Sequence, residues 1–109
     1  MEPIQLPTLG YFQNGNGWLA SSGLLRFQIE KPVEDTVTVV LWQGPFSRPY
    51  AQEIGRETFP VTADGLTALS EFLTQKAGEM KDHPTFTAEE TTAYYQAQKE
   101  AEQAPQDSE

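Results

Sequence analysis

Between Leu24 and Glu30 the chain alternates: Leu25, Phe27 and Ile29 share one side, Arg26, Gln28 and Glu30 the other. Period two marks a half-buried β-strand. Thr36 to Gln43 repeats the pattern with β-branched residues, which favour strands. Val37, Val39 and Leu41 form its apolar face, and Thr36, Thr38, Val40 and Trp42 the opposite one. That second face turns apolar toward its end, so something must cover it there. Lys31-Pro32-Val33-Glu34-Asp35 turns the chain between the two strands.

Upstream, Leu9 to Gln13 and Trp18 to Ala20 flank Asn14-Gly15-Asn16-Gly17. Asn-Gly supplies the positive φ angles of tight hairpin turns, which predicts a hairpin here. Ser21-Ser22-Gly23 is a second break, or a bulge in a longer strand. Downstream, the loop Gly44 to Pro49 holds two prolines, and Tyr50 to Phe59 is a fourth strand candidate. Ile54 and Phe59 would face opposite sides of it, unless a bulge at Gly55 reconciles them.

The period then changes. Leu66, Leu69, Leu73, Ala77 and Met80 recur at helical spacing, with Phe72 beside them. Thr62 or Asp64 can cap the start, and Gly78 is a candidate terminator, which predicts a helix from Ala63 to Ala77. Beyond Asp82-His83-Pro84, Thr87 and Glu90 have the spacing of a capping box. The helix that follows is polar, its larger apolar residues being Tyr94 and Tyr95.

The fold class that results is α+β. An antiparallel meander of about four strands carries one amphipathic helix on a face, followed by a C-terminal accessory helix. Residues 1–79 are expected to form the core domain, 80–103 a linker and polar helix, and 104–109 a flexible acidic tail. A length of 109 residues suits one domain.

Charge narrows the function classes. The chain has 16 acidic and 7 basic residues, a net charge of −9, and the bases form no run. Direct nucleic-acid binding and adhesion to anionic membranes are disfavoured, because both need clustered Lys and Arg. Residues 80–109 hold seven of the acids and only two of the bases, so the excess charge is concentrated at the C-terminal end. The N-terminal residues lack a signal-peptide pattern and no apolar run is long enough to span a bilayer, which predicts a cytoplasmic protein.

Catalytic signals are weak. No cysteine is present, and His83 is the only histidine. A solvated helix-end role explains it more simply than base catalysis. The adjacent acids Glu34-Asp35 and Glu89-Glu90 suit a turn and a helix first turn. Gly15-Asn16-Gly17 leads into an expected strand, so it lacks the helix N-terminus of a phosphate loop. No catalytic set, metal site or cofactor is therefore expected.

Two aromatic groups remain. Trp42, Phe46 and Tyr50, with Arg48, surround the proline-rich loop; Tyr11, Phe12 and Trp18 surround the expected hairpin. Aromatics on stiff turns make interface anchors, but the same residues would equally close the ends of a core. Missing catalytic sets and spare aromatics point to a non-enzymatic interaction module with a protein partner or a second copy of itself. One alternative is an acidic inhibitor that imitates nucleic acid toward a DNA- or RNA-binding protein. The other is a small-ligand binder or small enzyme with a pocket between sheet and helix.

Overall fold

A computed structural model describes residues 4–103, apart from the side chains of 102 and 103; the expected acidic tail at 104–109 lies outside the described residues. The fold is α+β, with a four-stranded antiparallel sheet in meander order. The strands are β1 (Trp18–Ser22), β2 (Leu25–Ile29), β3 (Thr36–Gln43) and β4 (Glu53–Pro60). The helices are α1 (Leu9–Gln13), α2 (Ala63–Asp82) and α3 (Ala88–Gln103).

Alternation decides which face is buried. Leu25, Phe27 and Ile29 of β2 and Val37, Val39 and Leu41 of β3 lie opposite α2, whose Leu69, Leu73, Ala77 and Met80 complete the core. Each large apolar side chain enclosed this way contributes about 1.5–3 kcal/mol by leaving water. Ile54 and Phe59 both pack on this core. They do so because the β3–β4 register shifts between Leu41 and Trp42, which pair with Gly55 and Glu53 and leave Ile54 as the extra residue.

Turn chemistry sets the register. Gly23, at φ +59°, opens a two-residue turn that brings Ser22 opposite Leu25. The Ser21-Ser22 pair thus lies inside β1, and the break falls at Gly23. Between β2 and β3, Val33 and Thr36 exchange two backbone hydrogen bonds, of 2.8 and 3.0 Å, around Glu34 and Asp35. Those two residues sit at φ 52° and 60°, where side chains are disfavoured.

Two sequence expectations fail. The segment Leu9–Gln13 is helix α1, so no hairpin precedes β1. Thr8 caps its start, and Asn14-Gly15 ends it, with Gly15 at φ +85° donating its N–H to the Phe12 carbonyl. A positive φ serves a helix terminator and a hairpin turn equally, so Asn-Gly alone could not separate them. The helix turns Phe12 wholly into the core. In α2, Gly78 is not the terminator. The helix runs on to Asp82, because Met80 continues the buried stripe and Pro84 imposes the stop. Thr62 caps its start by accepting from the Gly65 N–H at 2.9 Å.

α3 stands apart from this core. Its capping box is closed both ways, Thr87 N–H to Glu90 Oε1 at 2.9 Å and Glu90 N–H to Thr87 Oγ1 at 3.0 Å. The linker before it is held by Gln43, which is buried and bonds both the carbonyl and the N–H of Phe86. The Cα radius of gyration is 15.9 Å, against roughly 13 Å for a compact chain of this length.

Candidate functional site

The outer face of the sheet, away from α2, is where the first aromatic group comes together. Val40 and Trp42 are both buried there, so the apolar end of this face is covered by the chain itself. The covering piece is the loop after β3, which turns back and passes through a short 3₁₀ turn at Arg48–Tyr50. Trp42 Nε1 donates to the Phe46 carbonyl at 2.9 Å and ties the loop to the strand. Arg48 reaches across to Gln28 Oε1 at 2.8 Å and to Glu30 at 3.0 Å. Gln28 is the cross-strand neighbour of Val40, so this bridge also pins the loop over the sheet.

The loop's other side receives α3. Phe46 stacks on Tyr95 with centroids 4.1 Å apart and planes 12° from parallel, and Tyr50 meets Tyr95 edge-on at 5.5 Å. Lys99 lies 5.0 Å over the Tyr50 ring. Phe46 and Tyr50 are therefore only half-exposed, and the partner they hold is the chain's own helix. Trp42, 3% exposed, is core and no anchor for another molecule. Sequence could not foresee this, because the Phe46–Tyr95 contact spans 49 residues and rests on where α3 docks.

The second group is also absorbed. Phe12 is fully buried, Trp18 packs edge-on to Phe27 at 5.8 Å, and the Tyr11 hydroxyl donates to the Gly17 carbonyl at 2.7 Å. Tyr11, Phe12 and Trp18 close one end of the core and do not form a surface patch.

What stays open is a cleft of about 600 Å³ on the outer face, a volume usual for a binding site. Its floor includes Arg26, Gln28 and Trp42, and its wall is the Pro45–Pro49 loop. Leu19 is 63% exposed and stands at the rim, on the first strand of the sheet. The residue carries no sequence signal of its own: the period-two pattern assigns it to the solvent side. Arg26 packs against Gly44, where a side chain would collide with its guanidinium, and donates from Nη1 to the Gly23 carbonyl at 2.6 Å. All three arginines of the chain, Arg26, Arg48 and Arg56, lie on this face. Arg56 forms a two-bond pair with Glu53, at 2.8 and 2.7 Å. Hydrogen bonding from Arg56 holds the Glu53 carboxyl below the usual carboxylate range, and the same bond raises Arg56.

Acid–base chemistry finds less support. A groove of about 310 Å³ between β4 and α2 includes Glu57, Glu79 and His83, all exposed. The His83 imidazole has no hydrogen bond or ion pair among the described residues, so no carboxylate orients it as a base. No cluster of three or more potential metal ligands occurs among the described residues. Nor is any described helix long and apolar enough to cross a membrane. Compared with family models, curated proteins and solved structures, the chain matches none.

Proposed function

We infer that this chain is a protein-interaction module whose contact surface is the β1 edge and the cleft beside it. The observation that carries this reading is Leu19, 63% exposed at the rim of a 600 Å³ cleft on a strand that, among the described residues, pairs on one side only. Exposed apolar surface next to a concave cleft is the usual form of a recognition site. This moves the interface from the aromatic loop residues to the surface that their packing leaves open. An acidic nucleic-acid mimic would present carboxylates on one face. Here the outer face carries the three arginines, two of which neutralise Glu30 and Glu53, so it presents no run of free carboxylates, which favours the interaction reading.

The test is affinity capture from source-cell lysate with wild type and Leu19→Glu, whose fold is checked by circular dichroism. A protein retained by wild type and released by the variant, and that slows amide exchange within residues 18–22, supports the reading. Equal retention by both chains, or capture with protection elsewhere, refutes it.

A further inference from the structure

The edge of β1 and the arginine-bearing cleft adjoin each other, and together they select a kind of partner. The two-residue turn at Gly23-Leu24 makes Ser22 and Leu25 its closing pair. Such a pair is hydrogen-bonded, and an antiparallel ladder alternates from there. Trp18, Ala20 and Ser22 therefore direct their N–H and C=O groups to β2, while Leu19 and Ser21 direct theirs to the open edge. The side chains of Leu19 and Ser21 are the exposed ones of this strand.

The two edges of the sheet are treated differently. β4 carries Glu53, Arg56, Glu57 and Pro60 and a bulge, the devices that discourage another strand from adding. β1, Trp-Leu-Ala-Ser-Ser, has no charge, no proline and no bulge. Behind that edge, in a chain of net charge −9, sits one arginine with no carboxylate partner among the described residues: Arg26 is paired across the sheet with Ser21 and lines the cleft, whereas Arg48 farther along is matched by Glu30.

We propose that β1 accepts an extended segment of a partner protein as a fifth strand, one carrying a carboxylate and an apolar side chain two residues apart. Period two places both side chains on the outer face. The apolar one packs on Leu19 at the mouth of the cleft, and the carboxylate beside Ser21 turns toward Arg26. An added strand lies about 10 Å from β2, so Arg26 leaves the Gly23 carbonyl and its place over Gly44 and swings across Ser21 to meet a glutamate there. The backbone of Leu19 and Ser21 supplies affinity, and the cleft supplies selection. This deepens the interaction reading above and rests on it.

A phage-displayed library of random dodecapeptides, selected on the full chain, tests it. The selected peptides are expected to share an acid and an apolar residue at i and i+2. Their affinity should fall at least tenfold for Ser21→Pro, which removes an outward N–H, and for Arg26→Gln. Peptides methylated at alternate backbone amides should lose as much, a measurement that does not depend on how Ser21→Pro folds. Peptides that bind at Leu19 yet ignore both amide methylation and Arg26→Gln would overturn strand addition and leave the interaction surface standing. Selection of no peptide, or of peptides indifferent to Leu19→Glu, would overturn both. A dimer of the chain itself, seen by sedimentation and abolished by Ser21→Pro, would replace the acidic segment as the occupant and so also overturn the proposal.

Discussion

Replacing Tyr95 by alanine removes the side chain that holds α3 to the loop. Tyr95 is half-buried between Phe46 and Tyr50. An enclosed tyrosine buries roughly 150–250 Å², so about 100 Å² is at stake here, or ~2.5 kcal/mol. The stacked geometry on Phe46 adds about 1 kcal/mol beyond area. Alanine keeps a small part of this, which leaves a loss of about 3 kcal/mol, a shift of roughly 150-fold in the docking equilibrium. A free polar helix of this length is marginal in water, so undocked α3 should also unwind. Clefts of about 530 and 380 Å³ border its first turns, where the Gln43–Phe86 hydrogen bonds and the buried Thr91 are the other attachments. Hydrogen exchange by mass spectrometry should show residues 88–101 losing protection while α2 and β3 keep theirs. The main thermal transition should move by a few degrees at most, since Tyr95 touches none of the core around Phe27 and Leu73. Unchanged protection of α3 would refute the reasoning. So would one lowered transition that takes α2 with it, because a global loss of this size lowers the midpoint by roughly 10–20 °C.

Phe46→Ala and Tyr95→Ala should be strongly non-additive, with a coupling of about 0.5–1.5 kcal/mol in a double-mutant cycle read by the same exchange experiment. Changing Glu34-Asp35 to Asn-Gly relieves the positive φ angles of that turn, and the urea midpoint should rise by the equivalent of about 1 kcal/mol with unchanged slope. Gly65→Ala would drive a methyl into the Pro60 carbonyl oxygen, so α2 must shift against β4, at a cost of roughly 1–3 kcal/mol by denaturant titration. Because the Glu53 carboxyl is held below its ordinary value of 4.5, its contribution is present above that pH and lost as pH falls through the lowered value. Glu53→Gln should therefore flatten the acid limb of stability, slightly at an exposed pair, and more at low salt than at high salt.

Local pattern was enough to place the two central strands of the sheet. Alternation at Leu25–Ile29 and Thr36–Gln43 placed the core residues, because a strand has only two faces and burial needs one of them apolar. The same holds for the α2 stripe and for the Thr87–Glu90 capping box, whose chemistry lies within one turn. The conflict between Ile54 and Phe59 called for a bulge at Gly55, and the structure has the extra residue one position earlier, at Ile54. Tertiary structure decided the rest, wherever one local signal suits two outcomes. Asn14-Gly15 suits a hairpin or a helix end, and the burial of Phe12 chose the helix end. Gly78 suits a terminator or a helix interior, and Met80 in the core chose the interior. Aromatic residues on a proline-rich loop suit an interface or an anchor. Only the docking of Tyr95 on Phe46 turned them inward and left Leu19 and the β1 edge as open surface, since a contact between segments so far apart in the chain leaves no trace in either one.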